Sequence, residues 1–286
     1  FMEKTTQNSY HTHISSKHNA LELKLDEVWR YRDLILLFTK RNFVVRYKQT
    51  ILGPAWILLN PLFSSIIYAI VFGGIAKIGT EGIPTILFYL CSNAIWLFFA
   101  TCVTTNARTF TENANVFGKV YFPRLTMPIS NMLSAGIHFC VQMLMVMGFL
   151  GFYLVQGAVH PNWAAWLLIP VVLLHLGMLG LGCGIIVSSL TTKYRDLAIL
   201  VDFAMQLWMY ATPVVYPLST LEPGWIRTIL LINPVTAPVE FFRYAILGQG
   251  SILPGVLALS WVITTGVMLI GIVIFNKVER TFMDTV

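Results

Sequence analysis

Six stretches of this sequence run for about 20 residues or more almost without charge, the length a helix needs to cross a bilayer. They lie at roughly 54–76, 84–104, 128–155, 163–190, 198–217 and 255–276, and one charged residue, Asp202, interrupts them. Only 11% of the chain is charged, against roughly 25% for a soluble domain. That excludes an ordinary soluble enzyme, a disordered chain and a disulfide-stapled secreted domain. The short alternating segments of an outer-membrane barrel are absent as well. The expected fold is an all-α polytopic membrane protein of six transmembrane helices.

The stretch 218–250 is apolar but broken by Pro223, Pro234, Pro238, Glu240 and Arg243. Each half is too short to cross, so a re-entrant pair of half-helices is expected between spans five and six, surrounded by protein or a water-filled cavity. Lys and Arg counts set the orientation. Residues 1–53 carry nine, 105–127 three, 191–197 two and the tail two, while the opposite loops hold only Lys77, Arg227 and Arg243. Sixteen against three places both termini in the cytoplasm. The net charge of +6 then reads as basic loops beside an anionic leaflet rather than a nucleic-acid surface.

Residues 26–50 are too charged to span. Val28, Tyr31, Ile35, Phe38 and Val45 recur at near-helical spacing among basic residues, with Asp26 and Glu27 at the start and Lys40 and Arg41 near the end. This predicts an amphipathic helix in the cytoplasmic interface, in contact with membrane lipid. Residues 1–25 read as a polar tail whose His11, His13 and His18 are solvated, the permease domain as 54–276, and residues 277–286 as a second cytoplasmic tail. No compact apolar core occurs in the first 50 residues, so no cleavable leader is expected.

The motifs of catalysis are missing. There is no G-x-x-x-x-G-K-[ST] phosphate loop, no G-x-S-x-G, no H-E-x-x-H and no paired carboxylates. Cys91, Cys102, Cys140 and Cys183 show no metal or redox spacing and read as small buried hydrophobes. Ionisable groups inside spans are functional candidates by default; they are Asp202, read as snorkelling or capping, and His138 and His175, read as hydrogen-bonded packing residues. Aromatics inside the spans fit either core packing or the lining of a pore along which sugar rings slide. Gly177, Gly180, Gly182 and Gly184 permit close helix packing in span four, between copies or within one.

Local patterns then become specific. Arg46-Tyr47-Lys48 followed by L-G-P-A-W-I-L-L-N-P-L (Leu52 to Leu62) resembles the start of the membrane subunit of polysaccharide-exporting ABC transporters of the type-2 export family. N-V-F-G-K-V-Y-F-P-R (Asn115 to Arg124), K-Y-R-D-L (Lys193 to Leu197), Q-L-W-M-Y-A-T-P-V-V-Y-P (Gln206 to Pro217), I-N-P-V-T (Ile232 to Thr236), E-F-F-R-Y (Glu240 to Tyr244) and V-E-R-T-F-M-D (Val278 to Asp284) are similar to successive segments of the same family. One departure is Phe117-Gly118, where a bulkier aliphatic-basic pair is expected before Lys119.

The resemblance implies a permease subunit rather than an enzyme, working in the bacterial inner membrane as a homodimer with two copies of a separate ABC ATPase. No cofactor is expected on this chain; ATP and Mg belong to that ATPase. Short cytoplasmic helices at about Glu112–Lys119 and Thr192–Leu197 would dock on it, through Glu112, Asn115, Lys119, Tyr194, Arg195 and Asp196. The implied substrate is a polyprenyl- or lipid-linked surface polysaccharide of O-antigen, capsule or teichoic acid type, with an exporter of a drug or small lipid as the alternative. Trp56, Tyr68, Trp208 and Tyr210 are the candidate glycan-channel lining, and Glu240 and Arg243 mark the re-entrant external segment.

Overall fold

The computed structural model describes residues 25–285 apart from 121 and 195, with side chains over 26–278. The predicted tail histidines and Arg195 lie outside the described residues. Twelve helices follow one another: α1 (Leu25–Arg30), α2 (Arg32–Tyr47), α3 (Trp56–Tyr68), α4 (Thr85–Ala107), α5 (Thr109–Phe117), α6 (Thr126–Val155), α7 (Trp163–Trp166), α8 (Ile169–Thr191), α9 (Leu197–Tyr210), α10 (Trp225–Ile232), α11 (Thr236–Leu247) and α12 (Pro254–Thr285). No strand occurs among the described residues. Five segments are long and apolar enough to cross a membrane: Gly53–Ile75, Thr85–Ala107, Thr126–Val155, Ile169–Thr191 and Pro254–Val278. The chain is an all-α membrane protein. The interrupted stretch 218–250 forms α10 and α11, which meet at 85°.

The fifth predicted span differs. Its helix stops at Tyr210 instead of continuing to 217. Pro213 has no N–H to give and drives the residue before it out of helical geometry. The 14 residues of α9 rise only about 21 Å, short of the roughly 30 Å hydrocarbon layer. Beyond them Thr212 to Val215 turn inward and are buried. The amide of Asn233, at the bend between α10 and α11, donates to the Ala211 carbonyl at 2.8 Å and to Thr212 Oγ1 at 2.9 Å, closing the open end of α9.

At the centre stands α4, flanked by α8 and α6. The glycines of α8 make that approach possible. A Cβ at Gly180 would lie 2.6 Å from Cys102 Cβ, and one at Gly177 2.9 Å from Met132 Sδ. Gly184 faces Asn106 of α4, and Gly182 faces the backbone of Met268 on α12. All four glycines therefore serve contacts within one copy of the chain. In lipid, such close packing is what holds helices together. The first span is less regular: Pro61 sits inside α3, and Ala69–Ile75 widen to π geometry, with Ala76 N–H donating to the Val71 carbonyl.

The amphipathic segment is two helices, broken at Tyr31. Val28, Ile35 and Phe38 are buried as the spacing predicts, but Val45 is exposed, along with Trp29, Leu36, Leu37 and Val44. The segment thus has two apolar faces. One docks on the bundle, where Asn42 Nδ2 donates to Asn131 Oδ1 of α6 at 2.9 Å, and the other is free.

Candidate functional site

The predicted coupling elements lie at one end of the bundle. Helix α5 occupies Thr109–Phe117, shifted toward the N-terminus from the predicted Glu112–Lys119. Its inner face is aromatic: Phe110 stacks on Phe275 at 4.7 Å and lies 5.9 Å from Phe117, which packs on Phe122. Glu112, Asn115 and Lys119 are exposed outside it. The Phe117-Gly118 departure is explained by this packing, since Phe117 points into the aromatic cluster.

Over the second predicted coupling helix, Thr192–Leu197, the described residues 192–194 and 196 are turn or irregular, and Leu197 already belongs to α9. Thr191 and Thr192 hydroxyls fold back onto the Ser188 and Ser189 carbonyls, ending α8, and α9 begins at Leu197. Tyr194 and Asp196 are exposed on that turn. Thr191 Oγ1 also donates to the Ala107 carbonyl at 3.2 Å, which ties the turn to the start of α5. Asp202 is paired with Arg108, the residue between α4 and α5, rather than snorkelling alone. The pair joins α9 to the α4–α5 junction.

The four candidate lining aromatics have different immediate partners. Trp208 donates to Asn233 Oδ1 at 3.1 Å and meets Phe99 edge-on at 5.2 Å. Tyr68 donates to Met209 Sδ at 3.5 Å and packs on Tyr89. Tyr210 lines a largely apolar cavity of about 810 Å³ with Tyr216, Trp225 and Ile229 at the α10 end. Trp56 lies apart, on a different cavity described below. The cysteines form no disulfides; Cys91 and Cys102 are buried, Cys183 is half-buried and Cys140 is exposed, contrary to the expectation for all four.

Glu240 and Arg243 form a buried ion pair one turn apart on α11, their side chains 3% and 0% exposed. Glu240 accepts the N–H groups of Leu218 and Ser251, each at 3.4 Å, and the guanidinium lies 4.8 Å from the Phe88 ring centre. The pair pins α11 to the loops on either side of it.

At the opposite end, beside α2 and α5, two adjoining cavities of about 360 and 500 Å³ share Arg46, Thr101 and His138. Sequence reasoning singled out His138, Trp56, Arg46-Tyr47 and Glu112 separately, without bringing them together here. It missed that Asn131, Ser134, His138 and Gln142 form one polar stripe along α6, at offsets of three, seven and eleven residues that put them on one helical face. That stripe was the available signal. His138 packs against the rings of Phe43 and Tyr47, at 5.7 and 5.6 Å, the three rings forming a triangle. Burial pushes the Tyr47 phenol above its usual value, against the opposing pull of Arg46, so it remains a neutral O–H donor. His138 Nε2 and Gln142 Oε1 are buried without partners. Among the described residues no His, Cys, Asp and Glu group is arranged to hold a metal.

Fold and site together define a multi-pass, all-helical membrane protein whose polar residues gather at the two ends of the bundle. The profile of the ABC-2 type transporter family matches residues 33–247. The chain belongs to that family. It is 28% identical over 257 residues to an O-antigen export system permease protein RfbA of Klebsiella pneumoniae, an alignment covering 88% of this chain and 94% of the relative. It is also 28% identical over 221 residues to the O-antigen export system permease protein RfbA of Myxococcus xanthus, covering 76% of this chain and 81% of that protein.

Proposed function

We propose that this chain is the permease subunit of an ATP-driven exporter that moves a lipid-linked surface polysaccharide of O-antigen type across the bacterial inner membrane. The observation that carries the reading is the near end-to-end match to the Klebsiella pneumoniae permease, which leaves little of either chain unaligned. In this reading the five long segments and α9, prolonged by 211–217, make six crossings. The basic end, with α1, α2 and α5, faces the cytoplasm, as the Lys and Arg asymmetry favours.

Two copies of the chain form the pathway. A separate ABC ATPase binds ATP and Mg and docks on exposed Glu112 and Asn115 of α5 and Lys119 just beyond it, and on Tyr194 and Asp196 of the turn before α9, with Arg195 between them in sequence. Nucleotide drives transport by binding one arrangement of the complex more tightly than the other. The Arg108–Asp202 pair supports a common response, because it links the junction above α5 to the helix that follows the turn.

The test is deletion of the gene in its source cell, with gel analysis of surface and membrane-associated glycans in a strain lacking any second exporter. Loss of surface polymer with lipid-linked glycan accumulating inside is the expected result. An unchanged glycan profile overturns the reading and leaves the drug or small-lipid exporter, to be assayed by sensitivity to apolar drugs.

A further inference from the structure

The inner of the two cavities beside α2 has two buried polar atoms on its wall with no hydrogen-bond partner. His138 and Gln142, one turn apart on α6, are 7% and 8% exposed. His138 Nε2 and Gln142 Oε1 line the space between α2, α3, α4 and α6 without a hydrogen-bond partner. Buried polar atoms are mostly paired; of the eleven side-chain atoms left unpaired among the described residues, these two lie one turn apart on a cavity wall, and it is that placement which points to an occupant. Arg46 is exposed at its rim and has no carboxylate partner among the described residues.

The lining has a definite chemistry. Arg46, the Tyr47 hydroxyl, Asn60, His138 and Gln142 Nε2 can donate, the unpaired Gln142 Oε1 accepts and fits a hydroxyl or water beside them, and no acidic side chain lines the inner cavity. Such a set suits the oxygens of a phosphate, which guanidinium and neutral donors bind well. Ile57, Pro61 and Leu97 supply an apolar wall, and the free apolar faces of α2 and α3, with Val44, Val45, Phe63 and Ile67, flank it. Trp56, 39% exposed, offers a ring face on the same cavity. The outer chamber is different. It is lined by Arg41, Asn42, Asn113 and Asn131, with Glu112 as its one carboxylate, a mixture that matches hydroxyl groups better than a second anion.

We propose that the inner cavity binds the phosphate-bearing headgroup of an amphiphile, and that the outer chamber receives the hydroxyl-rich group attached to it. The proposal rests on the export reading only in naming that amphiphile as the lipid-linked polymer. A phospholipid of the bilayer carries the same anionic chemistry and is the other source. Because Glu112, Asn113 and Val116 of α5 line the outer chamber, an occupant there touches the helix assigned above to ATPase docking. Loading of the headgroup is thereby sensed at the coupling surface.

The test uses the full-length chain in phosphatidylcholine nanodiscs, with bound lipid read by native mass spectrometry. Farnesyl diphosphate is retained, whereas farnesol, which has the chain but no phosphate, is not. Arg46→Gln weakens retention about tenfold, the size of one charge-assisted hydrogen bond, and Gln142→Leu weakens it several-fold. Arg32→Gln, an exposed cation outside the cavity, changes nothing. Displacement of farnesyl diphosphate by equimolar phosphatidylglycerol supports the site and assigns it to bilayer lipid; failure to displace assigns it to the polyprenyl carrier. Equal retention of farnesol, or unchanged retention in both Arg46→Gln and Gln142→Leu, overturns the proposal and leaves water as the occupant. Binding with an unchanged glycan profile in the deletion strain would remove the export reading and keep the site. Accumulated glycan without binding would do the reverse.

Discussion

The two ends of this bundle treat polar groups in opposite ways. Around α10 and α11, Glu240, Arg243 and Asn233 bond mainly to neighbouring backbone and to one another, and the fold closes over them, leaving Arg243 Nε and Thr236 Oγ1 buried without partners. Around α2 and α5, His138 and Gln142 face open cavities unpaired, and Glu112, Asn115, Tyr194 and Asp196 stand on the surface. The first end uses polarity to hold short helices at an angle that lipid alone would not tolerate. The second keeps polarity available to ligands and partners. Stability should therefore be concentrated at one end and function at the other.

The largest effect expected is at the closed end. Glu240→Ala or Arg243→Ala strands a buried charge, and breaking such a pair costs about 3–5 kcal/mol. Thermal unfolding in detergent should show either single variant as severely destabilised, and the double variant Glu240→Leu with Arg243→Met as much less so. A single variant that melts like the parent would mean that this end is not closed. Asn233→Ala comes next. It removes the bonds to Trp208 Nε1, the Ala211 carbonyl and Thr212 Oγ1 together; Ala211 is exposed and Thr212 Oγ1 keeps its bond to the Trp208 carbonyl, so the loss is of net hydrogen bonds worth about 0.5–1.5 kcal/mol each.

The contrast at the open end is Gln142→Leu. It replaces a buried, unpartnered amide by an apolar side chain of similar length, a change that is neutral or stabilising by about 1 kcal/mol or less. A clear loss of stability in the same melting assay would show that Gln142 already holds the fold together and would erase the distinction between the ends.

How much of this was legible depends on range. Five spanning helices and the break near 233–235 follow from run length, charge and proline, which are local properties of the chain. The early end of α9 at Tyr210 was also local, since Pro213 stands three residues on, but the apolar run through Val214 and Val215 masked it: those residues are buried against the bundle, not along a helix. The pairing of Arg108 with Asp202, 94 positions apart, was not legible, because hydropathy does not say which helix faces meet. The cavity lay between these cases. The α6 stripe is a 3.6-residue pattern any helical reading can find, yet what it faces, α2 and α3, is set by tertiary packing.

The smallest expected effect on stability is the sharpest test of the comparison. The side chains of Tyr194 and Asp196 are exposed on the turn between α8 and α9, and the bonds these residues make there, such as the Tyr194 N–H to the Leu190 carbonyl, are backbone bonds that a side-chain substitution leaves in place. Tyr194→Ala and Asp196→Ala should therefore leave the melting temperature and the membrane-inserted amount unchanged, as for exposed positions generally. In the export reading the same variants should abolish surface polymer and uncouple ATP hydrolysis by the partner from transport, because the turn is a docking surface. Asp202→Asn, at the next turns of the same element, should reduce export only partly, since it weakens one half-exposed pair worth about 0.2–1 kcal/mol. Cells expressing Tyr194→Ala or Asp196→Ala at parental levels with normal surface glycan would move the coupling role off this turn and onto α5 alone. Loss of export with intact folding would make the open end the place where this chain acts, while the Glu240–Arg243 end keeps its shape.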